Sequence, residues 1–428
     1  MIQVAVIADD LTGANATGVQ LVKNELRVDT ITSLDNLEGI KDCDCIIYST
    51  DSRAINSESA YERVYDAAQR LKNSNVKLYS KRIDSTLRGN IGSETDAILD
   101  ALGDEYIALA VPCFPQAGRI NVGGHLLVNA IPLHRTEAAV DPKNSIKSSV
   151  CEEIFAEQSK YLTASVLIGE VSRQIDYLAM QIVKLKEQGV KIIIFDAVTT
   201  EDLDRIAEAA VVSKINFVAI DPGVFTAAVC RQIITPAESA KQPIEKRKKV
   251  LAVVGSVNAV AASQVENFLQ TQRNYNVFVD TDKIVENEAV REGEIARVVK
   301  ELLEGSEEYE VASIVGTGIY PQNRIDIGKS VEDISSCINE AFAEIVYKIL
   351  SANSAFCGLY TCGGDISVAV CNRLGAYGMR LHNEVVPLAS YGELKGGQFA
   401  GLKYITKGGM VGDENALVTC VNYLKSEV

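Results

Sequence analysis

Residues 3–15, QVAVIADDLTGAN, join a short apolar run to a polar turn and to the start of an amphipathic stretch. Similar apolar runs follow in the first half of the chain, at residues 45–48, 77–81, 107–111, 191–195 and 217–220. Amphipathic stretches with a helical period lie between them, at residues 14–23, 57–72, 94–102, 173–187 and 203–212. Buried strands that alternate with helices predict a parallel α/β sheet covered on both faces.

The alternation restarts after a polar, charged segment. Residues 236–249, PAESAKQPIEKRKK, carry two prolines and favour an interdomain linker, with a solvated loop as the alternative. Beyond it, the same patterns predict strands at residues 250–254, 277–279, 313–315, 358–361, 379–386 and 399–406, and helices at residues 260–270, 293–303, 335–350 and 414–425. We therefore expect two doubly wound α/β domains with mainly parallel sheets, at residues 1–235 and 250–428.

Composition excludes several classes of partner. The formal net charge of −15 argues against nucleic acid and anionic membranes, because such partners require a basic surface. No apolar run reaches the roughly 18 residues of a membrane span, and the first residues lack a signal-peptide pattern. The ten cysteines form no CxxC pair, which favours reduced, structural thiols over zinc or disulfides. Together these features predict a cytoplasmic protein.

Ligands of open α/β sheets bind beyond the carboxyl ends of the strands, so the residues there are the candidates. Asp9 and Asp10 follow the first strand and would bind the hydroxyls of a polyol; the alternative is that Asp10 or Thr12 only caps a helix. Arg53 follows the next strand and is suited to pair with a carboxylate; the alternative is a surface arginine without a ligand.

The most polar strand end is the segment 81–92, KRIDSTLRGNIG. Its three cations, one carboxylate and two hydroxyls predict a site for a carboxylate with neighbouring hydroxyls, against the alternative of a solvated turn. The segment 112–119, PCFPQAGR, offers Arg119 as an anion contact. It opens a long irregular stretch that runs to residues 141–142, and such loops are typical of functional lids.

Glycines mark three strand ends in the second half, at residues 254–258 (VGSVN), 361–365 (TCGGD) and 406–412 (TKGGMVG). Glycine lets backbone N–H groups approach phosphates, so the set predicts a nucleotide cradle, with tight turns as the alternative. Residues 323–330, NRIDIGKS, lack the leading glycine of a Walker A motif, and the glycine fingerprint of dinucleotide-binding enzymes is absent from the sequence.

Taken in order, the motifs ADDLTGA, KRIDSTLRGNIGSE, VPCFPQAGR with a later DP, GSVN, CGGD and KGG resemble the four-carbon acid sugar kinase family over essentially the whole chain. The resemblance implies an ATP-dependent kinase that phosphorylates a hydroxyl of a sugar acid such as threonate, erythronate or 3-oxo-tetronate. The active site would lie in the interdomain cleft, with the sugar acid bound by the N-terminal domain and the nucleotide by the C-terminal domain.

The resemblance also implies site residues. The substrate contacts would be Asp9, Asp10, Arg53, Lys81, Asp84, Ser85, Arg88, Gly89 and Asn90. The nucleotide contacts would be Ser256, Asn258, Gly363, Gly364, Asp365, Lys407, Gly408 and Gly409. We expect Lys81 and Arg88 to hold the substrate carboxylate, and Asp365 to be the catalytic base, with Asp84 and Asp10 as rivals.

The chain departs from the family pattern at three places. Asn258 stands where a second Ser or Thr is usual, Ile366 stands where Thr is usual, and residues 221–229, DPGVFTAAV, lack the usual Gly-Ser richness. We expect Mg²⁺ to be held through phosphates and water, with no dedicated metal cluster. A sugar-acid dehydrogenase and a non-catalytic sensor are the alternative functions. The choice of acid, the hydroxyl that is phosphorylated and the formation of a homodimer stay open.

Overall fold

The chain folds into two compact units, Met1–Glu238 and Ser239–Val428. The computed structural model describes residues 2–35, 37, 40, 43–141, 145–234, 249–255, 258–317 and 330–428. The boundary between the units falls within the predicted linker 236–249, of which residues 236–248 lie outside the described residues. Within the described ranges, no helix combines the length and the apolar character needed to cross a membrane.

The first unit is built on an eight-stranded sheet. Its strands and those of a smaller sheet are β1 (Val4–Ala8), β2 (Val28–Ile31), β3 (Cys45–Ser49), β4 (Leu78–Arg82), β5 (Tyr106–Ala110), β6 (Arg119–Val122), β7 (His125–Val128), β8 (Ile131–Pro132), β9 (Thr163–Val166), β10 (Ile192–Phe195) and β11 (Asn216–Asp221). The main sheet has the order β2-β3-β1-β4-β11-β5-β10-β9, and all of its neighbours pair in parallel.

Helices cover both faces of this sheet. They are α1 (Leu11–Val22), α2 (Ser57–Leu71), α3 (Ile91–Leu102), α4 (Cys151–Gln158), α5 (Ile168–Val171), α6 (Ile175–Glu187), α7 (Thr200–Val212) and α8 (Val224–Ile233). Helices α1, α8, α7 and α6 pack side by side in one layer, and α2, α3 and α4 pack in the other. Both faces of the sheet are covered, and β1 (VAVIA) and β10 (IIIF) are apolar along their whole length, which is why their sequence signal was strong.

The connections of the first unit create a crevice between β1 and β4. From β1 the chain passes through α1 to β2, toward one edge of the sheet. From β4 it passes through α3 to β5, toward the opposite edge. The loops that follow two adjacent parallel strands therefore diverge. Such a switch point is where open α/β sheets bind their ligands.

The stretch 112–141 is not irregular, contrary to the prediction. It contains the antiparallel sheet β6-β7-β8, which is joined to the main sheet through Asp196 at the end of β10. The Asp196 carboxylate accepts the N–H groups of Gly123 (2.7 Å) and Gly124 (3.0 Å), both of which have positive φ angles at the hairpin turn. The sequence signal was weak because these strands have only two to four residues each.

The second unit has a mixed seven-stranded sheet. The strands are β12 (Lys249–Val254), β13 (Tyr275–Val279), β14 (Val311–Gly316), β15 (Phe356–Cys362), β16 (Gly378–Val386), β17 (Ala389–Lys395) and β18 (Lys403–Lys407). Their order is β13-β14-β12-β15-β18-β17-β16; the first five are parallel, and β17 runs antiparallel to both of its neighbours. The predicted strand 399–406 begins too early, and β17 was not predicted.

The helices of the second unit are α9 (Ala259–Thr271), α10 (Thr281–Glu286), α11 (Glu288–Gly305), α12 (Val331–Ala352), α13 (Gly364–Arg373) and α14 (Ala416–Glu427). Helices α9 and α14 pack together, and α10 to α13 form a second layer. The predicted class, two doubly wound α/β domains with mainly parallel sheets, is confirmed.

All ten cysteines are free thiols, and eight of them are buried. Burial raises the pKa of Cys230 to about 12, so this thiol stays protonated and packs as a small apolar side chain.

Candidate functional site

Acidic and basic side chains meet where β1, β3 and β4 end. The strands lie in the order β3-β1-β4, and Ala8 at the end of β1 is in register with Ser49 of β3 and Arg82 of β4. The loops that follow these strands therefore begin at the same edge of the sheet. They bring together six residues, which we call the acid–arginine cluster: Asp9, Asp10, Arg53, Arg82, Asp84 and Arg88.

Ion pairs connect all members of the acid–arginine cluster. Nε of Arg53 lies 2.6 Å from Oδ2 of Asp9, and its Nη1 lies 2.8 Å from Oδ2 of Asp10. Arg82 reaches the same two aspartates through Nη1, at 2.8 and 2.9 Å. Asp84 pairs with Arg88 at 2.8 and 3.1 Å, and its Oδ1 lies 3.7 Å from Nη2 of Arg53. The cluster thus presents guanidinium groups and carboxylates side by side.

Exposure divides the acid–arginine cluster into an inner and an outer layer. Asp9, Arg82 and Asp84 are buried, whereas the side chains of Asp10, Arg53 and Arg88 keep 25%, 18% and 28% of their surface exposed. The outer layer can therefore contact a ligand, while the inner layer fixes its orientation.

The aspartates of the inner layer are ionised at neutral pH. Burial alone would raise the pKa of Asp9, but the charges of Arg53, Arg82 and Lys81 outweigh it and hold the pKa well below its ordinary value. The pKa of Asp84 is lowered in the same way, because Arg53 and Arg88 outweigh the effect of its burial. Both carboxylates therefore accept hydrogen bonds and donate none.

Two guanidinium nitrogens of the acid–arginine cluster are buried without a hydrogen-bond partner, Nη2 of Arg53 and Nε of Arg82. Buried donors are almost always satisfied in folded proteins, so the orphaned Nη2 of Arg53, an outer-layer residue beside ionised carboxylates, indicates a place for a ligand's oxygen atom. A molecule that carries both a carboxylate and hydroxyls supplies acceptors to the arginines and donors to the aspartates.

Asp10 combines the functional role and the capping role that the sequence left open. Its Oδ1 accepts the N–H of Gly13 at 2.8 Å and so caps α1, while the same carboxylate pairs with Arg53 and Arg82. The Gly13 amide is thus occupied by the cap. A Cβ at Gly13 would lie 1.8 Å from Cζ of Arg82, so only glycine leaves room for this guanidinium.

Lys81 lies beneath the acid–arginine cluster. Its side chain has no exposed surface, and its Nζ lies 2.6 Å from Oε2 of Glu94 and donates to the carbonyl of Arg82 at 2.7 Å. In this structure Lys81 sets the charge around Asp9 and Glu94. Its expected contact with a substrate carboxylate stays a prediction.

The remaining residues of the predicted substrate segment shape the loop between β4 and α3. Leu87 and Gly89 both have positive φ angles, and Nδ2 of Asn90 donates to the carbonyls of Ser52 (3.1 Å) and Ile55 (2.9 Å). Asn90 thereby ties this loop to the one that carries Arg53. Ser85 is half-buried beside Asp84.

Sequence reasoning did not assign Arg82, Glu94 or Asp141, although all three contact predicted residues. Asp141 accepts from Nη1 of Arg88 at 3.1 Å. The sequence signal for Arg82 was the pair of consecutive cations at the end of β4. Because successive strand residues point to opposite faces of the sheet, Lys81 and Arg82 have different surroundings.

In the second unit, Gly255, Gly363 and Gly408 follow the neighbouring strands β12, β15 and β18. Gly363 has a φ of +116°, and a Cβ at Gly255 would lie 1.7 Å from Cδ1 of Ile366. These three strand ends share one edge of the sheet. The N–H groups of Gly363 and Gly408 donate to the carbonyls of Lys407 (2.9 Å) and Leu388 (3.5 Å), so they are not open donors in this structure. Ser256 and residues 323–329 lie outside the described residues.

Three further predicted nucleotide contacts have defined surroundings. Asp365 is exposed in the first turn of α13, and Oδ1 of Asn258 caps α9 by accepting from the N–H of Ala261 at 2.9 Å. Lys407 is buried, and its Nζ donates to the carbonyls of Gly408 (2.7 Å) and Val411 (2.8 Å). In this structure Lys407 thus holds the conformation of the loop, and its direct contact with a nucleotide stays a prediction. Gly364 and Gly409 are half-buried.

Comparisons with known proteins support this division of the chain. A family model described as a sugar-binding N-terminal domain matches residues 4–229, and one described as a nucleotide-binding C-terminal domain matches residues 251–417. A D-erythronate kinase of Heliobacterium modesticaldum is 40% identical, over 100% of this chain and 98% of the relative. The chain belongs to the four-carbon acid sugar kinase family. Its predicted function as a sugar acid kinase, and with it the phosphotransferase class, is confirmed.

Two further relatives match at lower identity. A D-threonate kinase of Salmonella typhimurium is 32% identical over 98% of both chains, and a 3-oxo-tetronate kinase of Haemophilus influenzae is 26% identical over 89% of this chain and 91% of the relative. A solved structure from Salmonella typhimurium has a TM-score of 0.84 at 21% identity and covers 99% of this chain and 100% of its own. One from Haemophilus influenzae has a TM-score of 0.75 at 24% identity and covers 98% of this chain and 100% of its own. These structures establish the fold. The dehydrogenase alternative is wrong, because the relatives are kinases.

Proposed function

We propose that this sugar acid kinase transfers the γ-phosphoryl group of ATP to a hydroxyl of a four-carbon sugar acid, and that D-erythronate is the first substrate to test. The observation that carries the proposal is the acid–arginine cluster, in which orphaned guanidinium donors lie beside ionised aspartates. The arginines match the carboxylate of such an acid, and the aspartates match its hydroxyls. The 40% identity to a D-erythronate kinase supports the choice of substrate.

ATP is the proposed donor, bound at the glycine-bearing strand ends of the second unit. The backbone N–H groups in the first turn of α13 would meet the phosphates, where the helix also presents its positive end. Among the residues that the structure describes, no group of three or more His, Cys, Asp or Glu side chains is arranged to hold a metal ion. Mg²⁺ would arrive with the nucleotide and neutralise charge on the transferred group.

Transfer requires the acceptor hydroxyl and the γ-phosphate to come into line, so the two bound ligands must meet during catalysis. The expected location of the active site, in a cleft between the units, stays a prediction. Among the rival bases, the strongly lowered pKa of Asp84 counts against it, because a base works best when its pKa lies near the operating pH. Asp365 is the base that we propose.

The test of the substrate is an ADP-release assay with ATP, Mg²⁺ and a panel of acids: D-erythronate, D-threonate, their L-forms and 3-oxo-tetronates. We expect the highest kcat/KM with D-erythronate. If one of the other acids gives the highest kcat/KM, the class stands and our choice of substrate is wrong. If no acid releases ADP above the background hydrolysis of ATP, the proposed function is wrong and the sensor alternative is favoured.

Asp365→Asn is expected to lower kcat by about 10²- to 10⁴-fold, because the amide cannot accept the proton of the acceptor hydroxyl. The dissociation constant for ATP should stay within a few-fold, since the side chain is exposed and its backbone is unchanged. Steady-state ADP release and calorimetric ATP titration measure the two effects. Asp333→Asn, in the first turn of α12, is the matched control and should keep its kcat. A near-normal kcat in the Asp365 variant would remove Asp365 from this role.

A further inference from the structure

Arg119 lies near the acid–arginine cluster and, among the described residues, has no carboxylate partner. It begins β6, directly after the loop that follows β5. Among the described residues, no Asp or Glu oxygen lies within the 4.0 Å of an ion pair with its guanidinium, whereas Arg53, Arg82 and Arg88 each have two such partners or more. Arg119 donates from Nη1 to the carbonyl of Ala117. Its Nε is buried and has no hydrogen-bond partner.

The surroundings of Arg119 make this lack of a partner costly. Burial lowers the pKa of Arg119, the charge of Asp84 opposes that shift, and the charge of Arg88 adds to it. Because the guanidinium pKa starts above 12, the group nevertheless stays protonated. Arg119 is half-buried, has an unpartnered donor and is repelled by the charge of Arg88. A bound anion would compensate this charge and accept from the donor.

The segment that carries Arg119 is held firmly in position. The N–H of Asn121 donates to the carbonyl of Ala197 at 2.9 Å, and the hairpin turn after it is held by Asp196. Farther along the same segment, Asp141 accepts from Arg88. The segment is therefore held at the end of β10 and, farther along, at Arg88. Because β4 and β5 both pair in parallel with β11, the loop that leads from β5 to Arg119 begins at the same edge of the sheet as the loop that carries Asp84 and Arg88.

We propose that Arg119 binds the carboxylate of the sugar acid together with Arg88, and that this contact selects acids over neutral polyols. This inference rests on the proposed function. A carboxylate has two oxygens and can accept from two guanidinium groups at once, which satisfies the orphaned Nε and offsets the repulsion between the cations. Asp84 pairs with Arg88 and accepts from the hydroxyl next to that carboxylate. A neutral polyol leaves the Arg119 charge uncompensated, which disfavours its binding.

The test compares D-erythronate with erythritol, in which a CH₂OH group replaces the carboxylate. For Arg119→Gln we expect KM for D-erythronate to rise about 10- to 100-fold while kcat stays within a few-fold, because charge-assisted hydrogen bonds of this kind are lost in the bound state. The ratio of kcat/KM between acid and polyol should fall by the same factor. Arg119→Lys, which keeps the charge but not the fork, should give an intermediate KM.

Arg135→Gln is the matched control, since Arg135 is an exposed arginine on the same segment; its KM should equal that of the wild type. Thermal shift with D-erythronate, without ATP, reports binding separately from turnover. If the wild type turns over D-erythronate and both Arg119 variants keep its KM and its preference for the acid, the inference is wrong. A loss confined to kcat also overturns it. If the wild type neither turns over nor binds any acid, the proposed function itself has failed.

Discussion

Lys81→Met should lower the free energy of unfolding by about 3–5 kcal/mol at neutral pH, because it leaves the carboxylate of Glu94 buried without its cation. The two side chains have 0% and 1% exposure and meet at 2.6 Å. Lys81 also helps to hold Asp9 in its ionised state, so both carboxylates lose compensation in the variant. Urea denaturation followed by circular dichroism measures the loss.

The pH dependence of the Lys81 variant has a definite sign. Burial raises the pKa of Glu94, and the Lys81 charge opposes that rise. Without the Lys81 ammonium, the pKa of Glu94 in the folded state rises further above its value in the unfolded state. The folded variant therefore binds more protons than the unfolded chain, and it becomes relatively more stable as the pH falls through that folded-state pKa. We therefore expect the stability gap between variant and wild type to be smaller at pH 5 than at pH 8.

Two further variants separate the buried charge from ordinary surface effects. Lys81→Met combined with Glu94→Gln should regain most of the lost stability, because neither partner then carries a buried charge. Arg70→Met breaks an exposed pair with Asp35 and should cost less than about 1 kcal/mol. A Lys81 variant as stable as the Arg70 variant at pH 8 would show that the buried pair contributes nothing.

The Lys81–Glu94 pair also shows why the sequence could not reveal the whole site. The segment 81–92 was recognised from its density of polar residues, and the structure does bring Asp84 and Arg88 into the acid–arginine cluster. Which of its cations faces the ligand depends on the alternation along β4 and on a carboxylate in α3, thirteen positions away. Sequence spacing gives no measure of either burial or pairing, so the Lys81–Glu94 pair was not predicted.

The fold was predictable where burial is complete and only partly predictable elsewhere. Strands β1 (VAVIA) and β10 (IIIF) are buried along their whole length and therefore read as continuous apolar runs. Strand β17, with the sequence ASYGELK, is interrupted by glycine and charge and was not predicted. The short strands β6 to β8 owe their structure to contacts with Asp196 and Ala197, far along the chain, which no local pattern encodes.

The largest expected effect on activity comes from Arg53→Met, which should lower kcat/KM for D-erythronate by about 10²- to 10⁴-fold. Arg53 contacts Asp9 and Asp10 and lies 3.7 Å from Asp84, so its removal leaves three carboxylates facing one another with less positive charge. The approach of an anionic substrate then becomes unfavourable, and the orphaned Nη2 donor is lost. ADP release at saturating ATP measures the effect.

Arg53→Lys distinguishes charge from geometry at this position. Lysine keeps the positive charge but offers a single nitrogen, which cannot reach all three aspartates, so we expect activity between that of the Met variant and the wild type. Arg63→Met is the matched control. Among the described residues, Arg63 donates to the carbonyls of Thr50 and Asp51, in the loop that also carries Arg53. This variant should keep kcat/KM within about threefold of the wild type. If Arg53→Met instead loses thermal stability while its kcat/KM stays near normal, Arg53 serves to hold the aspartates in the fold and the substrate must bind elsewhere.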